Sequence, residues 1–193
     1  MLHEEDLEVA IPPRMNDAEF FRFCRDNDEL RMERDHQGNI IIMPPTGFNT
    51  GTRNTKLTSK LDQWNEKQQS GLVGDSSTGY RLSNTAVRSP DASWISNDRL
   101  AATSAEEQEG FLPAAPEFVA EIRSRSDRPR VLREKMEEYL SNGVLLAWYI
   151  DRPGQFVEIY RVGKPVETVN GFDQHLSGVD ILPGFEFDLT WMK

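Results

Sequence analysis

Residues 117–123 read EFVAEIR, a run with the length and apolar content of a strand inside a sheet, yet it carries Glu121. Strand alternation sends Phe118, Ala120 and Ile122 to one face and Val119, Glu121 and Arg123 to the other. Val119 shares the face of Glu121, so the carboxylate is expected to be partly buried on a central strand. A carboxylate buried alone is strongly unfavourable, so Glu121 requires a cation, a hydrogen-bond donor or a metal ion. An ion pair with Arg123 at the strand end would meet that need without any function; a site shared with other polar groups would meet it with one.

A second carboxylate stands thirty residues earlier. In SPDASWISNDRL, residues 89–100, Asp91 follows a proline and precedes a strand expected from Ala92 to Ile95. The helix after EFVAEIR supplies a cation. It is expected to be capped by Asp127 or Ser126, to run to about Ser141 and to stop at Asn142-Gly143. At about 100° per residue from Val131, the apolar arc passes through Tyr139, Leu132, Met136 and Leu140 over about 180°. Lys135 falls inside that arc, whereas Arg130, Arg133, Glu134, Glu137 and Glu138 fall outside it. An inward lysine can snorkel to water, or it can reach an anionic centre over the preceding strand.

The remaining pattern mixes helices and strands. Asn16 followed by DAEFFRFCRDN reads as a capped helix, and LRMERD, HQGN and IIIM read as a hairpin turning at Gly38. PPTGFNTG reads as a loop, with an amphipathic helix from about Thr52 to Gln68, spaced by Leu57, Leu61 and Trp64 and closed by Gly71. Short strands follow at LVGD, YRL and DASWI. After the second helix, VLLAWYID and FVEIYR read as strands turning at Pro153-Gly154, and VDILPGFEFDL as a strand-bearing tail. A mixed sheet flanked by helices accommodates this order, with the chemistry near its middle strands.

A chain of 193 residues suits one domain, 1–193, with an N-terminal extension over 1–15. MLHEEDLEVA carries acids where a secretory leader would carry bases, GVLLAWYI is too short to span a bilayer, and Cys24 is the single cysteine. A cytoplasmic protein without a membrane segment is expected. His3, His36 and His175 are scattered, which excludes a zinc-type cluster of histidines. The net charge of −10 argues against a chain that coats nucleic acid with its whole surface. Locally the balance reverses: RSRSDRPRVLREK, residues 123–135, carries six bases and two acids. These bases collect at a helix start, where the helix dipole disfavours them, so they read either as a solvated face or as an anion-facing patch. Trp94, Trp148 and Tyr149 lie in apolar strand contexts and are assigned to the core. Asn49, Thr50 and Thr52 suit phosphate binding at a helix start or simple capping.

In order and spacing, PDASW, EFVAEIRSRSD, REKMEEYLSNGV, WYID and VEIYR resemble the Uma-two family of restriction-endonuclease-like proteins, within the PD-(D/E)xK nuclease superfamily. The likeness runs from about Leu30 to Phe187 and includes RMER, GNIIIMPPTG, STGYRL and LPGFEFDL. It implies an α/β (α+β mixed) fold with a restriction-endonuclease-like core, a central mixed β-sheet flanked by helices. It further implies that Asp91 and Glu121 converge to hold Mg²⁺, or Mn²⁺ in its place, with the Ile122 carbonyl as a further ligand and Glu33 joining the cluster. The superfamily's lysine slot is Arg123 here, and arginine cannot accept a proton near neutral pH. The resemblance instead gives the lysine role to Lys135, orienting the attacking water or stabilising developing charge. Arg123, Arg125 and Arg128, with Arg130, would attract the phosphate backbone irrespective of sequence, although the family commonly has proline at the position of Arg125. The implied partner is DNA, cut by a homodimer because both strands need a site.

Two functions of different class follow. One is a Mg²⁺-dependent endonuclease acting on DNA with Glu33, Asp91, Glu121 and Lys135 in its catalytic centre. The other is a noncatalytic nucleic-acid or protein interaction module that retains the fold, favoured by the acidity of the chain and by Arg123.

Overall fold

The computed structural model describes residues 14–125 and 127–193. The expected N-terminal extension therefore lies, up to residue 13, outside the described residues, as does Ser126. The chain opens with helix α1 (Asp17–Asp26), fixed by a reciprocal cap: the Asn16 side chain accepts the Glu19 N–H at 3.0 Å, and the Glu19 carboxylate accepts the Asn16 N–H at 2.8 Å. Strands β1 (Arg31–Arg34) and β2 (Ile40–Met43) form the expected hairpin, with Gly38 at φ +89° in its turn.

Helix α2 (Phe48–Gln68) starts earlier than expected, because PPTGFNTG gives its last residues to the helix and Gly47 stands at the N-cap. It ends at Gln68 as expected, but is closed by another residue. Gln69 takes the left-handed conformation, and Gly71 is instead the first residue of β3 (Gly71–Asp75). A Cβ at Gly71 would stand 2.1 Å from the Ile95 carbonyl oxygen, so glycine is what lets the two strands meet there.

The chain continues through β4 (Tyr80–Arg81), β5 (Val87–Arg88), β6 (Ala92–Ser96), and the short helices α3 (Asn97–Ala101) and α4 (Ala105–Gln108). Strand β7 (Phe118–Arg123), helix α5 (Pro129–Ser141) and strand β8 (Leu146–Asp151) follow. The last elements are β9 (Phe156–Arg161), β10 (Glu167–Asn170), β11 (His175–Ser177), β12 (Glu186–Asp188) and a 3₁₀ turn over Leu189–Met192. Two-residue strand β5, helices α3 and α4, and strands β10 and β11 are too short or too polar to stand out in the sequence.

Three sheets result, ordered β2-β1-β5-β4, β10-β9-β8-β7-β6-β3 and β11-β12. In the six-stranded sheet β7 and β8 run parallel and every other pair is antiparallel. A parallel pair needs a crossover, and α5 supplies it. One face of this sheet, with Phe118, Ala120, Ile122 and Trp148, packs against Leu57, Leu61 and Trp64 of α2 and against Phe185 and Phe187 of the tail. The opposite face, with Val119, Ala147 and Tyr149, packs against Met136 and Tyr139 of α5. Complete burial of each large apolar side chain contributes roughly 1.5–3 kcal/mol. Trp94, Trp148 and Tyr149 are core residues, as their contexts require.

Helix α5 departs from expectation at both its cap and its arc. Arg128 is the N-cap and makes no side-chain capping bond; Pro129 starts the helix with a preset φ. The Asp127 carboxylate accepts the Ser124 N–H at 2.7 Å instead of capping. Val131, placed in the buried arc by the wheel, is exposed. Glu138, placed outside the arc, is half-buried against Arg88 at 2.6 Å, because side chains of the four-stranded sheet reach α5 on the side away from the six-stranded one. Among the described residues, no helix is long and apolar enough to cross a membrane.

Arg123 does not pair with Glu121. Its guanidinium meets Asp151, its register partner on β8, at 3.0 Å. Burial opposes ionisation of Asp151, but the Tyr149 hydroxyl, the Gly154 N–H and Arg123 overcome it and hold the carboxyl below its usual range. A depressed pKa contributes stability that is present above the unfolded value of about 3.9 and lost as pH falls through the lower folded value. Asp151→Asn is therefore expected to lower stability by about 2 kcal/mol at pH 7 and to flatten the loss of stability below about pH 4, read by urea unfolding at both pH values.

Candidate active site

The six-stranded sheet splits beside β7. Strand β6 pairs with β7 at Trp94↔Phe118, Ser93↔Val119 and Ala92↔Ala120, whereas β7 stays paired with β8 through Arg123↔Asp151. The next rung of the β6 ladder would join Asp91 to Glu121. Pro90 turns the chain away there, towards β5 in the other sheet, and the Asp91 side chain takes over: its Oδ2 accepts the Ile122 N–H at 2.8 Å. Asp91 and Glu121 are thus brought together at the point where one strand leaves its neighbour.

Helix α5 returns over this point. The Lys135 Nζ lies 2.8 Å from Glu121 Oε1 and 2.8 Å from Glu33 Oε1, with its side chain 11% exposed. Glu33 comes from β1 in the four-stranded sheet, so a single ammonium joins both sheets through the helix between them. Glu33 also accepts the Ser89 N–H at 2.9 Å and faces Arg88 Nη1 at 3.1 Å. Glu121 Oε1 further accepts the Tyr139 hydroxyl at 2.9 Å. Asp91 Oδ1 accepts from Asn54 Nδ2 at 2.5 Å.

The electrostatics are uneven. Burial opposes the charge of Glu33, but Lys135, Arg88 and the Ser89 N–H outweigh it and hold the carboxyl below its usual range. Burial pushes Glu121 up, Lys135 pulls it down, and the charges of Asp91 and Glu33 push it up again, so it stands above its usual range. Asp91 is likewise raised by burial, against the Ile122 N–H, Lys135 and Asn54. Burial disfavours the Lys135 ammonium, yet Glu121 and Glu33 hold it above the ordinary lysine range. Glu33 has two cations at contact distance, Glu121 has one, the Lys135 it shares with Glu33, and Asp91 is held by the Asn54 amide and the Ile122 N–H instead. The pair nearest the split is short of positive charge.

Among the described residues, no three carboxylate, imidazole or thiol groups are placed to hold a metal ion by themselves. The donor set beside the split is smaller, two carboxylates and backbone. That composition suits a hard divalent ion such as Mg²⁺, which takes one or two carboxylates and keeps water and substrate oxygens in its shell. The charge deficit at Asp91 and Glu121 is of the sign such an ion would correct.

Asp91, Glu121, Ile122 and Lys135 line an open cavity of about 690 Å³. Arg125 lines it too, together with Arg31 and Arg152, two cations that the local charge count over residues 123–135 did not reach. Arg123 and Arg128 do not line it: Arg123 is held by Asp151, and Arg128 is exposed at the helix start. Asn49 and Thr50 lie on the cavity wall near the start of α2, whose N-cap Gly47 forms no side-chain cap; Thr52 instead donates to the Asn49 carbonyl at 3.0 Å.

Asn54, Arg88 and Tyr139 are contacts of the cluster that sequence reasoning did not single out. Asn54 left a readable sign, since it occupies an inward slot three residues before Leu57 on the stripe that continues to Leu61 and Trp64. Its Oδ1 is buried without a partner, so the amide serves the carboxylate at its own expense.

Comparisons with known proteins agree on the fold. A crystal structure titled as a "putative nuclease" from Anabaena variabilis superposes with a TM-score of 0.75 at 19% sequence identity, covering 93% of this chain and 99% of that one. No match is found among curated proteins. A family model, Uma2, described as "Putative restriction endonuclease", matches residues 17–190. With nearly the whole chain matched by that model, and with its sheets and helices arranged as in that solved structure, the protein belongs to the Uma2 family.

Proposed function

We propose that the chain is a metal-dependent nuclease that hydrolyses phosphodiester bonds of DNA in the cytoplasm, with Mg²⁺ as its ion and Mn²⁺ able to substitute. The observation that carries this reading is the Lys135 ammonium, 2.8 Å from both Glu33 and Glu121 and on the wall of the cavity that Asp91 lines. Asp91 and Glu121, with the Ile122 carbonyl, would hold the ion. A divalent ion held there supplies charge for the scissile phosphate and a more acidic water.

The protein's own groups then divide the work. Lys135 is held protonated by two carboxylates, so it acts as a donor, orienting the attacking water and stabilising charge that develops on phosphate oxygens, rather than as a base. Glu33, satisfied by Arg88, Lys135 and the Ser89 N–H, fixes the lysine. Arg125, Arg31 and Arg152 attract the backbone without reading sequence. Arg123 acts indirectly, bracing against Asp151 the strand end that bears Glu121, and Arg128 contributes attraction from outside the cavity. A homodimer would present one centre to each strand of a duplex. The reading as a noncatalytic module draws support from the absence, among the described residues, of a three-acid metal group and from the net charge of −10.

Purified protein is expected to nick supercoiled DNA in Mg²⁺ or Mn²⁺, and Asp91→Ala or Glu121→Ala to abolish both nicking and the heat of Mn²⁺ binding in calorimetry. Absence of Mn²⁺ binding and of nicking by wild type, with DNA binding retained, would favour the noncatalytic module. Lys135→Met is expected to lower kcat by about 10²–10³ while Mn²⁺ still binds, which single-turnover cleavage alongside calorimetry would establish.

A further inference from the structure

Asp91 separates two cavities of opposite character. The one with Lys135, Arg125 and Arg152 is cationic. The other, of about 710 Å³, shares Asp91, Arg31 and Thr46 with it but continues between α2 and the edge strand β3. Arg31 is its one lining cation among the described residues, and that guanidinium donates to the Ser76 carbonyl. Asp62, Asp75 and Asp91 also line it. A phosphate entering there would meet more negative than positive charge.

The wall formed by α2 is unusual for a helix surface. Gly51, Thr55, Thr58, Ser59 and Asp62 face the cleft over three turns. All rank below lysine, glutamine and glutamate as helix formers, whereas the surface turned elsewhere carries Lys56, Lys60 and Gln63. Short hydroxyl and carboxylate side chains have been placed on this stripe against helix propensity, and they leave the cleft open where long side chains would fill it. Its volume is that of a small-molecule site. Apart from the Arg31 guanidinium and the Asn54 amide, which already donate to the Ser76 carbonyl and to Asp91, its polar side chains are hydroxyls and carboxylates.

We propose that this cleft is a nucleoside subsite, holding the sugar and base that adjoin the scissile phosphate on the side of Asp91 away from Lys135. It rests on the nuclease reading for its place in the reaction, and on its own lining for its chemistry. A neutral ligand rich in hydrogen-bond donors fits an acceptor-rich wall, so bases bearing an exocyclic amino group are held better than thymine. The phosphate backbone lies in the cationic cavity, and the nucleoside crosses Asp91 into the acidic one.

Ser59→Phe fills the cleft from an exposed helix position that touches none of the groups around Lys135. Hydrolysis of a deoxycytidine oligonucleotide is to be compared with hydrolysis of bis(p-nitrophenyl) phosphate, a diester with no nucleoside. The expected result is a fall in the oligonucleotide-to-diester ratio of kcat/KM of about tenfold or more; a ratio within about twofold of wild type overturns the proposal. Independently of any cleavage, deoxycytidine titrated into metal-free wild type should shift the amide resonances of Thr55 and Ser59, thymidine should do so more weakly, and Ser59→Phe should remove the response. Equal responses to the two nucleosides, or none to either, also overturn it. Wild type that hydrolyses neither substrate would sink the nuclease reading, while the titration would still decide the cleft.

Discussion

A buried ammonium between two carboxylates of different sheets is the constraint around which the molecule is arranged. Lys135 could not be buried over β7 alone without a counter-charge, and Glu33 could not be buried in β1 without a cation. Each makes the other tolerable, and together they oblige α5 to lie between the two sheets. The parallel β7/β8 pair makes this geometry available, because its crossover helix must return over the face that bears Glu121. Asp91 is then delivered by the segment that passes from β5 to β6, from one sheet to the other.

Much of this was legible in the sequence where a pattern repeats. EFVAEIR announced both its strand and the face of Glu121, and the α5 wheel turned Lys135 inward. What the wheel could not show was that α5 meets charged and polar side chains on a second side. One covered side is all that a single apolar arc encodes, so Val131 was taken for core and Glu138 for surface, whereas Val131 is exposed and Glu138 is half-buried against Arg88. Charged contacts between distant segments, such as Arg88 with Glu138 and Arg123 with Asp151, follow no period and left no sign. Boundaries differed around α2: Gly47, read within a loop, precedes the helix, and Gly71, read as its stop, begins a strand pressed against Ile95.

The family resemblance and the bare residues contributed different things. The resemblance pointed to Glu33, which no local pattern distinguishes, since RMER is a short strand with charges at both ends and within it. The residues explained how the superfamily's lysine slot can hold arginine: Arg123 is engaged by Asp151, and the amine beside Glu121 comes from α5 instead. Asn54 fell between the two approaches. It is a polar residue in an apolar slot, a local inconsistency of the kind that accumulates around sites, and it contacts Asp91.

Strand β7 is supported unequally along its two sides. Towards β8 its hydrogen-bonded ladder runs to the last residue and is locked there by the Arg123 and Asp151 charges; towards β6 it is released after Ala120. The tip of the strand is a cantilever, anchored by a full ladder along one flank and by a single side-chain bond, from the Ile122 N–H to Asp91, along the other. Stiffness and access, which usually compete, are thereby assigned to opposite edges of the same six residues, and a visitor approaching from the β6 side meets Asp91 and Glu121 without having to pry any backbone rung apart.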